Sequence, residues 1–208
     1  LRTFAKLLGR HANMGRHHTG SFLALCLTEA GDPAEGLRVM RSVRADAPDE
    51  GGPLFAQLLE MNGALDEAEK VLLGLARAYP KDTGVHMLLA RVQLAKGDRV
   101  KAMTVLERSL QACACAPGSC GARPPDLNVV RTLATLYLED RKETDRGLEL
   151  AQQAGALIQA PTWDDAYLQA LAADRGGHPD ARRMAEGLWE HTPPGSPAQE
   201  RLERFLPA

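Results

Sequence analysis

Apolar residues recur along this chain at helical spacing, in short blocks that a glycine interrupts at regular intervals. Phe22, Leu23, Leu25, Cys26 and Leu27 precede Gly31, and Leu88, Leu89, Val92 and Leu94 precede Gly97. After each interruption comes a second block: GDPAEGLRVM at 31–40, GALDEAEKVL at 63–72, GDRVKAMTVL at 97–106 and GGHPDARRMA at 176–185. A fifth copy, DRKETDRGLELA from Asp140 to Ala151, carries one extra residue before Gly147. Glycine ends helices in a left-handed conformation, and the acidic or helix-favouring residues after it start new ones. Each copy therefore predicts a helix, a tight turn and a second helix. Five residues after the turn glycine stands a small residue, Gly36, Ala68, Ala102 or Ala181. That position is about one turn into the second helix, where a larger side chain would hold the pair apart. The second helices are expected to end near Pro48, Pro80 and Pro193.

Successive turns are separated by 32, 34, 44 and 35 residues, counting from Gly31 to Gly63, Gly97, Arg141 and Gly176. A period near 34 with glycine turns, small residues and terminal prolines resembles the tetratricopeptide repeat. A Leu–small or similar pair in the first helix agrees with this: Leu23-Ala24, Phe55-Ala56, Leu89-Ala90 and Leu133-Ala134, with an aromatic one turn later at Tyr137. The early tryptophan of the family is missing from most copies. The resemblance implies an all-α fold, a right-handed α-α superhelix of antiparallel helix pairs in which each repeat touches its neighbours. Five repeats would span 17–194. Residues 1–16, with Leu1, Phe4, Leu7 and Leu8 on one face, would be the second helix of a truncated or capping repeat, and 195–208 a C-terminal capping helix with Leu202, Phe205 and Leu206 inward. A start at Leu1 is expected for a processed or excised form, or for a module cut from a larger enzyme.

The family's first helices line a concave groove that takes a peptide or a partner's helix. Carried over by position, the resemblance implies partner contacts at Ser21 and Leu25 in the first copy and at Gln57, Glu60 and Met61 in the second. Met87, Arg91 and Leu94 follow in the third, and Arg131, Thr135 and Leu138 in the fourth. Apolar anchors mixed with two arginines suit an amphipathic or extended segment. Ser21 and Leu25 stand where the chaperone-binding branch would need Lys and Asn, which argues against that branch. The implied role is a non-catalytic scaffold in a multiprotein complex, with a protein or peptide partner and no cofactor. The later copies are similar to repeats of bacterial envelope, pilus-assembly and secretion proteins.

Composition narrows the alternatives. Of 208 residues, 32 are Ala and 31 Leu against 9 Val and 1 Ile, which favours helix over strand. Aromatics at 4% and a net charge of −2 offer neither a stacking platform nor a basic field, so nucleic acid is not an expected partner. No stretch reaches the length of a membrane span. Arg outnumbers Lys 19 to 6, a bias associated with high-GC bacterial genomes.

The long interval places an insertion at about 111–126, QACACAPGSCGARPPD, with Cys113, Cys115 and Cys120 in it. A disulfide staple, free thiols, a soft-metal site lacking its fourth ligand, and redox chemistry all remain open for these residues. A disulfide would favour a periplasmic location, and free thiols a cytoplasmic one. Cys26, on an apolar face, reads as a buried small hydrophobe. His11, His17 and His18 read as solvated histidines rather than a metal cluster. GSCG at 118–121 has Pro117 where a nucleophile elbow needs glycine, and no strand leads into it. Asp164 and Asp165 read as carboxylates complementing the start of a helix.

Overall fold

A computed structural model describes residues 16–113, 125–140 and 143–206, without the side chains of 16–19 and 113. Among the described residues there are eleven helices and no strand. They are α1 (Arg16–Glu29), α2 (Pro33–Asp46), α3 (Gly52–Met61), α4 (Leu65–Ala78), α5 (Thr83–Ala95), α6 (Arg99–Cys113), α7 (Leu127–Asp140), α8 (Thr144–Leu157), α9 (Trp163–Arg175), α10 (Ala181–Glu190) and α11 (Pro197–Phe205). The leading segment 1–15 and Cys115 and Cys120 lie outside the described residues, as does the side chain of Cys113. Instead of one continuous body, the chain divides into two compact units, with the boundary between Val105 and Leu106. A chain of helix pairs that pack on their neighbours has no single central core to prevent such a division.

In the first unit the turns form as the glycines predict. Gly31, Gly63 and Gly97 adopt φ of 86°, 74° and 80°, which a side chain would strain. The amides of Asp32, Ala64 and Asp98 reach back five residues to Leu27, Leu59 and Gln93 carbonyls at 3.0, 2.8 and 2.9 Å, closing the preceding helices. Asp32 then caps α2 by accepting the Glu35 amide at 3.0 Å. With so short a turn, α1 and α2 pack along their length antiparallel, as do α3 and α4. Ala24, Leu37, Met40, Phe55, Leu58, Leu59, Leu72 and Leu89 fill one core between them. Gly36, Ala68 and Ala102 are buried, as the small-residue rule requires. A methyl at Gly36 would meet the Ala24 carbonyl oxygen at 2.9 Å and Thr28 Oγ1 at 2.7 Å.

In the second unit, α7 packs on α8 and both touch α9, which in turn packs on α10. Helix α7 is buried continuously from Val129 to Glu139, except for its partly exposed Arg131 and Thr132, because neighbours cover it on several sides. Gly147 is the small residue of this pair: its Cβ would lie 2.8 Å from the Leu138 side chain. The last turn differs by one residue from expectation, since α9 runs on and the left-handed residue is Gly177, at φ 68°, rather than Gly176. Asp165 closes a capping box with Thr162 at the start of α9, as its position suggested. Cys26 is half-buried and free rather than fully buried.

Candidate functional site

In the first unit the first helices α1, α3 and α5 are neighbours, and they carry the candidate surface. Leu25 is 39% exposed and Met61 49%, both unusual for large apolar side chains. Phe22, at 45%, joins them and was missed, because its helical register alone made it a core residue. Gln57, Met87 and Leu94 are half-buried. Arg91 on α5 reaches Glu60 on α3, its Nε donating to Glu60 Oε1 at 2.6 Å and to Oε2 at 2.9 Å. Half of the Arg91 side chain remains in solvent while Glu60 is mostly covered. The pair therefore offers a guanidinium face beside apolar side chains on a fixed carboxylate support. Ser21 departs from the expectation. Its hydroxyl is buried against Gly51 and has no partner among the described residues, so it points inward between helices.

The candidates of the second unit are corrected more strongly. Thr135 is 5% exposed and donates its hydroxyl to the Arg131 carbonyl at 2.8 Å, so it offers nothing to a partner. Leu138 is fully buried against Gly147, facing the second helix of its own pair. Arg131 ties α7 to α9: it donates to Thr162 Oγ1 and to Asp165 Oδ1, both at 3.1 Å, and to Asn128 Oδ1 at 2.7 Å. Burial works to raise the Asp165 pKa, but the Thr162 hydroxyl and amide and the Arg131 guanidinium outweigh it and hold the carboxyl below its usual range. Nearby, burial and the Glu107 carboxylate push the Tyr137 phenol up to about 12, and its hydroxyl donates to Glu107 at 3.1 Å.

A second arrangement, which the repeat pattern did not reveal, gathers the last two repeats' aromatics. Trp163 and Tyr167 stack with centroids 5.3 Å apart, and the Tyr167 hydroxyl donates to the buried Glu139 at 3.1 Å. Arg201 of α11 donates to the same carboxylate oxygen at 2.8 Å and lays its guanidinium 4.4 Å from the Tyr167 ring centroid. The Tyr167 phenol is pushed well above its ordinary value, first by burial and then by Glu139. The only available signal was compositional: Trp163, Tyr167 and Trp189 fall within one repeat of a chain poor in aromatics.

Among the described residues no group of three or more His, Cys, Asp or Glu side chains could hold a metal. His17 and His18 lie on α1, their side chains outside what is described, and His11 lies outside altogether. No described helix is long and apolar enough to cross a membrane.

No curated protein matches the chain by sequence. Residues 27–92 match the family model described as tetratricopeptide repeat. The structure characterised as Pseudomonas aeruginosa pilF is 17% identical, with 92% of this chain and 82% of that one covered and a TM-score of 0.69. MamA from Desulfovibrio magneticus is 18% identical, covering 86% of this chain and 96% of its own, at 0.63. A tetratricopeptide repeat protein from Parabacteroides merdae is 12% identical, with coverages of 88% and 70% and a TM-score of 0.65. At such identities the likeness is one of fold. Paired helices, left-handed glycine turns, small contact residues and the matched segment agree in making this chain a tetratricopeptide-repeat protein.

Proposed function

We propose that the chain is a non-catalytic scaffold that holds a partner polypeptide on the α1, α3 and α5 surface of the first unit. The observation that carries this reading is the exposure of Leu25 and Met61, with Phe22, on the same layer of helices as the Arg91–Glu60 pair. Apolar anchors beside a cation match an amphipathic segment with an acidic residue. The fold supports the role, because proteins of this repeat family serve as interaction scaffolds. A bacterial envelope, pilus or secretion assembly is the setting we propose, supported by the arginine bias and by the shared fold with bacterial repeat proteins.

Affinity capture with wild type, a Leu25→Asp/Arg91→Glu variant and a Val100→Asp control tests the assignment. Val100 is 71% exposed and lies on a second helix, so its substitution leaves the proposed surface intact. A partner retained by wild type and control and lost by the double variant is the expected result. Equal retention by all three removes the surface from consideration.

A further inference from the structure

The second unit carries an arginine receptor whose present occupant is a tethered piece of the same chain. Glu139 on α7 is 8% exposed overall, yet it is not neutralised within its own repeat: the cation it meets is Arg201, 62 residues away on α11. The walls of the receptor come from α7 and α9. Tyr167 supplies a hydroxyl to the carboxylate and a ring beneath the guanidinium, Trp163 stacks against that ring, and Asp164 lies 3.8 Å from the arginine. Trp163 is itself held, its indole N–H donating to Thr192 Oγ1 at 3.1 Å. Arg175 of α9 completes the end of the slot by donating to the carbonyls of Leu138 at 3.1 Å and Phe205 at 3.2 Å.

The occupant is held lightly by comparison. Helix α11 has nine residues, too few to persist in water by itself. Two side chains of its C-terminal stretch, Leu202 and Leu206, are fully or almost fully buried, while Glu200, Glu203 and Arg204 face solvent. It follows Pro193, Pro194 and a left-handed Gly195, a segment that does not continue either flanking helix. The receptor, by contrast, is fixed by the capping box of α9 and by the Arg131 tie, neither of which uses α11.

We propose that this slot is a binding site for an arginine-bearing helical segment of a partner protein, and that α11 is its built-in competitor. The ligand chemistry is read from the occupant: an arginine followed by apolar residues one and five positions later, as in Arg201, Leu202 and Leu206. When α11 leaves, Glu139 is a buried carboxylate without its cation, an expensive state that a second guanidinium relieves. The source is a partner rather than a second copy, because a short tether holds α11 at an effective concentration on the order of millimolar. An identical helix from another copy cannot outcompete that, whereas a better-fitting segment can. The site lies wholly in the second unit, so the inference stands apart from the surface proposed in the first.

The test uses the full chain and a fluorescein-labelled peptide of residues 196–206, followed by anisotropy. An Arg201→Ala/Leu206→Ala variant, with helicity unchanged by circular dichroism, is expected to bind the peptide at least tenfold more tightly than wild type. Adding Glu139→Gln to that variant is expected to return binding to the wild-type level. A peptide in which Arg201 is replaced by Ala is expected not to bind. Trp189, whose indole donates to the Leu206 carbonyl at 3.4 Å, reports release by a change in emission that the peptide reverses. Equal peptide binding by wild type and the double variant, or none by a variant whose emission has changed, overturns the proposal. Concentration-dependent dimers formed by exchange of α11 overturn the assignment to a partner.

Discussion

Replacing glycine by alanine should have opposite effects at two glycines of the first unit, and the comparison tests the packing argument directly. Gly36 lies in α2 and Gly74 in α4, both in right-handed helical backbone. The intrinsic helix preference therefore favours alanine at both, by about 0.5–1 kcal/mol. Around Gly74 no atom lies within 4 Å of the added methyl, so that gain should appear in full. At Gly36 the methyl meets Thr28 Oγ1 at 2.7 Å, the Ala24 carbonyl oxygen at 2.9 Å and Leu58 Cδ2 at 3.3 Å. The first two cannot simply swing aside, because the Thr28 hydroxyl already donates to the Ala24 carbonyl at 2.8 Å and that oxygen is backbone. Helix α1 must move away from α2, and overpacking of this kind costs about 1–3 kcal/mol. The two variants should thus differ by roughly 1–3 kcal/mol, Gly74→Ala above wild type and Gly36→Ala at or below it. In urea denaturation followed by far-ultraviolet circular dichroism, with slopes of about 1–3 kcal/mol per molar, the midpoints should be separated by on the order of 1 M. A Gly36→Ala midpoint as high as that of Gly74→Ala would show that the close approach of α1 and α2 does not depend on the missing side chain, and the small-residue argument would fail.

Two further outcomes follow from the Arg131–Asp165 tie. Arg131→Ala leaves a nearly fully buried carboxylate without its cation and should destabilise the second unit by about 1–3 kcal/mol, read as a lower urea midpoint by tryptophan emission from Trp163 and Trp189. Because the folded chain holds the Asp165 pKa below its unfolded value, it takes up this proton less readily than the unfolded chain. The associated stability is present above the ordinary aspartate value and is lost as pH falls through the folded one. The midpoint should drop on acidification below about pH 4, and Asp165→Asn should flatten that drop; an unchanged slope would remove Asp165 from the acid response.

The repeat itself was legible in the sequence because its determinants are local. A glycine that must turn left-handed, a methyl-sized residue five positions on and a proline beyond the second helix are all set within one stretch of chain, and the turns at Gly31, Gly63 and Gly97 form at those places. The family's positional register also reached Leu25, Met61 and Arg91, which stay exposed in the first unit. The same register misplaced Ser21, Thr135 and Leu138, since a position along a helix says which direction a side chain takes and nothing about what covers that direction. Helix α7 is enclosed by its neighbours, so equivalent positions there became core. Glu139 and Arg201 stand 62 residues apart with no periodic relation between them, and only the folded chain brings them to 2.8 Å. Periodic contacts between adjacent helices are written in the sequence that forms them. Which faces remain open, and which are closed by a distant segment, was decided by tertiary packing, because burial is a property of neighbours that the local sequence does not contain.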